Sequence, residues 1–172
     1  MTSLLLLRHA KSSWEDRALA DFDRPLSPRG EKAAPRMGRE MARRGWQPDL
    51  ALVSPAARTR QTWQLVATEL RRQPAARFPE TLYAATAQDI LAVLRQSSAD
   101  TILVVGHNPG LETLALTLAD HRSNRAARAR IMEKFPTAAL ACFAFDGEWS
   151  ALTTATLEDF LRPGDLEDRP EG

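Results

Sequence analysis

Ser3-Leu4-Leu5-Leu6-Leu7-Arg8-His9-Ala10-Lys11-Ser12-Ser13-Trp14 decides the fold. Its leucines do not alternate with polar residues. A short continuous apolar run of this kind reads as a strand of a parallel sheet covered on both faces. Two further runs have the same character, Asp49 to Val53 and Thr101 to Val105. Each is followed by residues that carry chemistry. After Leu7 come Arg8 and His9; after Val53 come Ser54, Pro55 and Arg58; after Val105 come Gly106, His107, Asn108, Pro109 and Gly110. In open α/β sheets ligands bind beyond the carboxyl ends of the strands. The three strand ends therefore bring two arginines and two histidines to one rim.

Helices fall between the strands. Ser27-Pro28 reads as an N-cap followed by proline at the first helical position, and Gly45 as the stop. That helix turns Ala33, Ala34, Met37, Met41 and Ala42 inward. Ser54-Pro55 repeats the device, with Thr59, Trp63, Val66, Ala67 and Leu70 on one face. Further helices are expected over Ala87 to Gln96, from near Pro109 with Leu111, Leu114, Ala115 and Leu118 buried, and from Asn124 to Glu133. Asp146-Gly147 lies between apolar segments at Ala138 to Phe145 and Trp149 to Thr156, which predicts an antiparallel hairpin. The expected architecture is a three-layer α/β/α sandwich, with a mostly parallel central sheet and a C-terminal antiparallel hairpin. Residues 1–161 form one domain, and 162–172, rich in Pro, Gly, Asp and Glu, are expected to be a mobile tail.

Composition narrows the function classes. The chain has 172 residues, enough for a single domain with a real core. Hydrophobic residues at 44% and charged residues at 26% exclude a disordered chain. No apolar run approaches the roughly 20 residues that span a bilayer, and no secretory leader is visible, so a cytoplasmic protein without a membrane partner is expected. The net charge of +1 argues against nucleic acid as the partner. One cysteine, Cys142, excludes an internal disulfide framework and a multi-Cys zinc site; it reads as core. No acidic cluster stands at the strand ends, so neither a metal nor another cofactor is implied.

Two histidines and two arginines on one rim suit phosphoryl transfer. A neutral imidazole is a nucleophile that can carry a phosphoryl group as a phosphoramidate. Guanidinium groups stabilise the charge on the transferred group's oxygens. Each residue has a plainer reading. A histidine after a strand is often a structural hydrogen-bonder, and Arg58 in Arg58-Thr59-Arg60 resembles any solvated helix arginine. Gly106 and Gly110 serve turns equally well. Four such coincidences at one sheet edge are what favours chemistry.

At these residues the chain resembles the histidine phosphatase superfamily, the phosphoglycerate mutase-like fold. The resemblance rests on Leu7-Arg8-His9-Ala10, on Arg24-Pro25-Leu26-Ser27 with Gly30, on Ser54-Pro55-Ala56-Ala57-Arg58-Thr59 with Gln61-Thr62, and on Gly106-His107-Asn108-Pro109. Those motifs extend from residue 4 to about 118. The short length and the string from Arg8 to Trp14 are most similar to the SixA-type phosphohistidine phosphatase branch. The resemblance implies that His9 is the nucleophile, with Arg8, Arg58 and His107 completing the phosphate pocket, and that the site is shallow. Ser12 and Asn108 are further candidates for touching phosphate, and Trp14 for a rim. Glu80, in Pro79-Glu80-Thr81-Leu82-Tyr83, lies in the stretch from which larger relatives take a general acid; Asp21 and Asp23 read instead as loop residues, pairing with Arg24 or capping a turn. His121 reads as a solvated residue at a helix end. The implied partner is a phosphohistidine-bearing protein. A small phosphorylated metabolite is the alternative substrate, and a non-catalytic phosphate-binding module the alternative class.

Overall fold

The computed structural model describes residues 1–166. Six strands, β1 (Thr2–Arg8), β2 (Leu50–Val53), β3 (Ala75–Arg77), β4 (Thr101–Gly106), β5 (Leu140–Phe145) and β6 (Thr156–Leu161), form one sheet in the order β3-β2-β4-β1-β5-β6. The β3, β2, β4 and β1 pairings are parallel; β5 runs antiparallel to both β1 and β6. Five helices accompany them: α1 (Pro28–Arg44), α2 (Ala57–Ala67), α3 (Ala87–Arg95), α4 (Gly110–Leu118) and α5 (Arg125–Glu133).

Successive residues of a strand point to opposite faces, and here both faces are apolar. Leu4, Leu6, Leu52, Ile102 and Val104 pack with residues of α3, α4 and α5. Leu5, Leu7, Val53, Leu103 and Val105 pack with Met37, Met41, Trp63 and Val66 of α1 and α2. This two-sided burial is why the leucine run is continuous rather than alternating. The result is the mixed α/β sandwich that the sequence implies.

Local signals explain where elements start and stop. Ser27 caps α1, its Oγ accepting from Gly30 N at 3.2 Å, and Gly45 ends the helix in the left-handed region at φ 72°. The second Ser-Pro pair behaves differently. Helix α2 begins at Ala57, Ala56 occupies the N-cap position without a side-chain bond, and Ser54 lies too far back to cap it. Its hydroxyl is used elsewhere, as described below.

The C-terminal hairpin also departs from expectation. Trp149–Ala151 is a 3-10 turn rather than the start of a strand, with Trp149 Nε1 donating to Ala99 O at 2.7 Å. The second strand starts only at Thr156, so the connection is longer than a two-residue Asp-Gly turn. Strand β3 gave no sequence signal: its three residues, Ala75–Arg77, are all exposed. In the segment expected to be a tail, Pro163–Asp165 forms a 3-10 turn, and Leu166 O accepts from Arg36 of α1 at 3.3 Å. The rest of that expectation, 167–172, lies outside the described residues. No described helix is long and apolar enough to cross a membrane.

The segment after β1 is tied to α1 through backbone. Lys11 O accepts from Ser27 N at 2.8 Å and from Ser27 Oγ at 3.1 Å. Gly30 lies so close that a Cβ there would stand 2.1 Å from Lys11 O. Neither backbone can yield easily, so Gly30→Ala is expected to destabilise the fold by about 2–4 kcal/mol in urea or thermal unfolding. Gly164→Ala, where a Cβ meets nothing within 4 Å, is expected to leave stability unchanged.

Candidate active site

The carboxyl ends of β1, β2 and β4 meet at one rim. His9 N donates to Gly106 O at 3.0 Å and Ser54 N to Val105 O at 3.0 Å, which locks the three strand exits together. Above them lies a cavity of about 260 Å³, lined by Arg8, His9, Lys11, Ser12, Trp14, Arg24, Arg58, His107, Asn108 and Thr137. Four of these are cationic side chains, and none is a carboxylate.

His9 and His107 face each other with ring centroids 5.3 Å apart. The Nδ1 of His9 lies 2.7 Å from Ala10 O. A carbonyl only accepts, so Nδ1 carries the hydrogen and the lone pair of the neutral ring is on Nε2. Burial pushes the His9 pKa down from 6.5 to about 3; His107, Arg58 and Arg8 push the same way, and the bond to Ala10 O opposes them. His107 is lowered to about 4, first by burial and then by Arg58 and Arg8, with Asp21 opposing. Both rings are therefore neutral at pH 7. The His107 Nε2 lies 2.7 Å from the Oγ of Ser54, a fully buried residue. This is where the hydroxyl that does not cap α2 is spent, and it leaves Nδ1 as the other ring nitrogen of His107.

The arginines are braced from behind. Arg8 Nη1 donates to Phe135 O at 3.0 Å. Arg58 donates through Nη1 to Asp21 O at 2.7 Å and through Nη2 to Asp21 Oδ2 at 3.0 Å. The Nε of Arg8 and of Arg58 are buried donors without a hydrogen-bond partner among the described residues. A buried unpaired donor is costly, which is usual where an anion is to be received.

Asp21 accepts from Tyr83 Oη at 2.7 Å, from Arg24 Nη2 at 3.1 Å and from Arg58. The Tyr83 hydrogen bond, and after it those of Arg24 and Arg58, hold its carboxyl well below the usual carboxylate range. The expected pairing with Arg24 is present; the one with Arg58 went unforeseen. Asp23 is exposed in the same 3-10 turn. Glu80 stands exposed on another 3-10 turn, outside the cavity lining. Its neighbour Tyr83 is the residue of that stretch that reaches the site, its ring edge-on to that of His107 with centroids 5.8 Å apart.

Ser12 lines the cavity and its Oγ accepts from Arg24 Nη1 at 2.8 Å. Asn108 also lines it, but its amide is engaged: Nδ2 donates to Phe135 O at 2.9 Å and Oδ1 accepts from Glu112 N, at the start of α4, at 3.2 Å. Trp14 stands at the rim, 69% exposed, with the Arg24 guanidinium 3.5 Å from its ring centroid. Arg24, Lys11 and Thr137 were not singled out as site residues from the sequence. Arg24 and Lys11 lie within or beside the recognised motifs, whereas nothing around Thr137 signals a site. His121 is exposed just after α4, and Cys142 is a free, buried thiol in β5 whose pKa burial raises to about 12. Among the described residues no group of three or more His, Cys, Asp or Glu is placed to hold a metal ion.

The sequence and the fold both have relatives. Residues 4–84 match the family model of the histidine phosphatase superfamily, branch 1. An uncharacterised protein of Mycobacterium tuberculosis is 39% identical over 147 residues, covering 84% of this chain and 90% of its own. Two solved structures, from Nakamurella multipartitia and Agrobacterium tumefaciens, are named as candidate SixA phosphohistidine phosphatases. The first superimposes with a TM-score of 0.80 at 31% identity, over 94% of this chain and 96% of its own. The second gives 0.81 at 31% identity, over 94% and 98%. Agreement at this level across nearly the whole length of both partners places the chain in the histidine phosphatase superfamily, within its SixA-type branch.

Proposed function

We propose that this phosphatase hydrolyses phosphoramidates, with phosphohistidine on a protein as its substrate, through a phosphoryl group carried transiently on Nε2 of His9. The observation that carries this reading is the absence of any carboxylate among the described residues lining the cavity. An alkyl phosphate leaves as an alkoxide and needs a proton from the enzyme. Asp21 is held ionised by its partners and Glu80 lies outside the lining, so neither serves as the donor. An imidazole phosphorylated on one ring nitrogen and protonated on the other needs no such donor, because it leaves as neutral imidazole.

The steps follow from the groups present. Nε2 of neutral His9 attacks phosphorus; the new P–N bond forms as the substrate's P–N bond breaks. The ring of His9 gains positive charge, which its Nδ1–H shares with Ala10 O. Arg8 and Arg58 hold the phosphoryl oxygens, with their unpaired Nε donors among the available hydrogens. A water then attacks phosphorus as the bond to His9 Nε2 breaks, both of its protons leave with the phosphate as dihydrogen phosphate, and neutral His9 is restored. His107 faces His9 across the phosphoryl position and is held by Ser54. No step requires a metal. The names carried by the two structures at 31% identity support the substrate class.

Replacing His9 with Ala is expected to lower kcat by at least about 10³-fold while circular dichroism and Tm stay near wild type. The same variant should lose the acid-labile ³²P label that wild type acquires from labelled phosphohistidine protein. Unchanged turnover rejects the nucleophile assignment.

Leaving-group dependence separates the substrate classes. The kcat/KM for phosphohistidine is expected to exceed that for alkyl phosphates in a metabolite panel by about 100-fold or more, with EDTA present throughout. A sugar or alcohol phosphate that matches phosphohistidine assigns the protein to small metabolites instead.

The pH profile checks the protonation state. The reactive form of His9 is the neutral one, and its pKa lies near 3 rather than 6.5. With an aryl phosphate and correction for substrate ionisation, kcat/KM should stay level from about pH 7 to about pH 4, and be halved only near about pH 3. A loss centred near 6.5 would show that the ring is not kept neutral.

A further inference from the structure

A second concavity adjoins the phosphate cavity. It has a volume of about 440 Å³ and is lined by Trp14, Asp16, Arg17, Leu19, Asp21 and Arg24. Trp14 and Arg24 line both spaces, so the two share a wall. Trp14 is 69% exposed and Leu19 38% exposed, large apolar side chains that would ordinarily avoid water. The Trp14 ring is nevertheless fixed, its face stacked on the Arg24 guanidinium, which is itself tied to Ser12 and Asp21. The loop behind it is closed by Leu19 N donating to Asp16 O at 3.3 Å and Ala18 N to Asp16 Oδ1 at 3.0 Å. Arg17 is exposed and has no partner among the described residues.

We propose that this groove is the subsite for the polypeptide that flanks the phosphorylated histidine. The inference rests on the phosphohistidine reading given above and names what holds the substrate's protein part. The groove is larger than the phosphate cavity and lies beside it, with Trp14 and Arg24 in both linings, on a side where a substrate's leaving part can extend. The anchored aromatic face of Trp14 and the side chain of Leu19 match an apolar residue beside the phosphohistidine; of the charged groups in the lining, Asp21 is held by Arg24, Arg58 and Tyr83 and Asp16 accepts from Ala18 N, which leaves Arg17 as the uncommitted one, suited to an acidic residue close by. Trp14 and Leu19 then act on specificity, through contact with the segment next to the reacting bond.

Three substrates test this: free phosphohistidine, a peptide with Leu and Asp flanking a phosphohistidine, and the same peptide with Gly flanks, each phosphorylated chemically with phosphoramidate. The Leu/Asp peptide is expected to show a KM about fivefold or more below those of the other two. Leu19→Glu and Arg17→Glu, both at exposed positions outside the phosphate cavity, are expected to erase that advantage. Their kcat/KM on free phosphohistidine should stay within about twofold of wild type. If free phosphohistidine is hydrolysed but flanks and substitutions have no effect, or the substitutions depress all three substrates equally, the groove assignment is overturned and the phosphohistidine reading stands. If free phosphohistidine and both peptides resist hydrolysis while another phosphate ester is turned over, the phosphohistidine reading fails and the groove assignment falls with it.

Discussion

A buried imidazole ringed by cations cannot keep a second proton, and the whole rim of this sheet is arranged around that fact. His9 loses water on burial and gains Arg8, Arg58 and His107 as neighbours, all of which disfavour its charged form. Arg8 and Arg58, which add to the effect of burial on the ring, are also the groups that attract an anion. One electrostatic arrangement thus serves both sides of the proposed reaction: it keeps a lone pair on the imidazole and favours negative charge beside it. Guanidinium groups suit the task because they stay charged under conditions that neutralise histidine.

Holding several positive groups together is unfavourable, and the fold offsets this locally. Asp21 joins Arg24, Arg58 and Tyr83 on one carboxylate, while carbonyl oxygens of Phe135 and Asp21 brace Arg8 and Arg58. Those bonds occupy part of each arginine and leave other donors unused. The sheet contributes rigidity. Because β1, β2 and β4 are parallel neighbours, their exits lie side by side, and loops of only a few residues bring His9, Ser54 and His107 together.

Much of this was legible from the residues. The leucine run, the Ser27 cap and the Gly45 stop are local signals, and local signals survive folding. The gathering of Arg8, His9, Arg58 and His107 followed from one rule about strand ends. What escaped were features decided by tertiary contact. Ser54 looks like a helix cap in one dimension, but three-dimensional packing gives its hydroxyl to His107. Tyr83 and Arg58 have ordinary neighbours in sequence; only the return of distant loops shows them converging on Asp21. Strand β3 has no apolar pattern because both its faces are exposed, and the second hairpin strand was displaced by a tryptophan that prefers a buried partner for its indole N–H.

The acceptor that orients the His9 ring is the carbonyl of the very next residue. Many catalytic histidines depend on a remote side chain for this service, and a single codon change can remove it. Here the orienting group is main chain, present whatever amino acid stands at position 10. The direction in which the ring presents its Nε2 is thereby insulated from side-chain drift, and evolutionary change elsewhere on the rim can proceed without turning it.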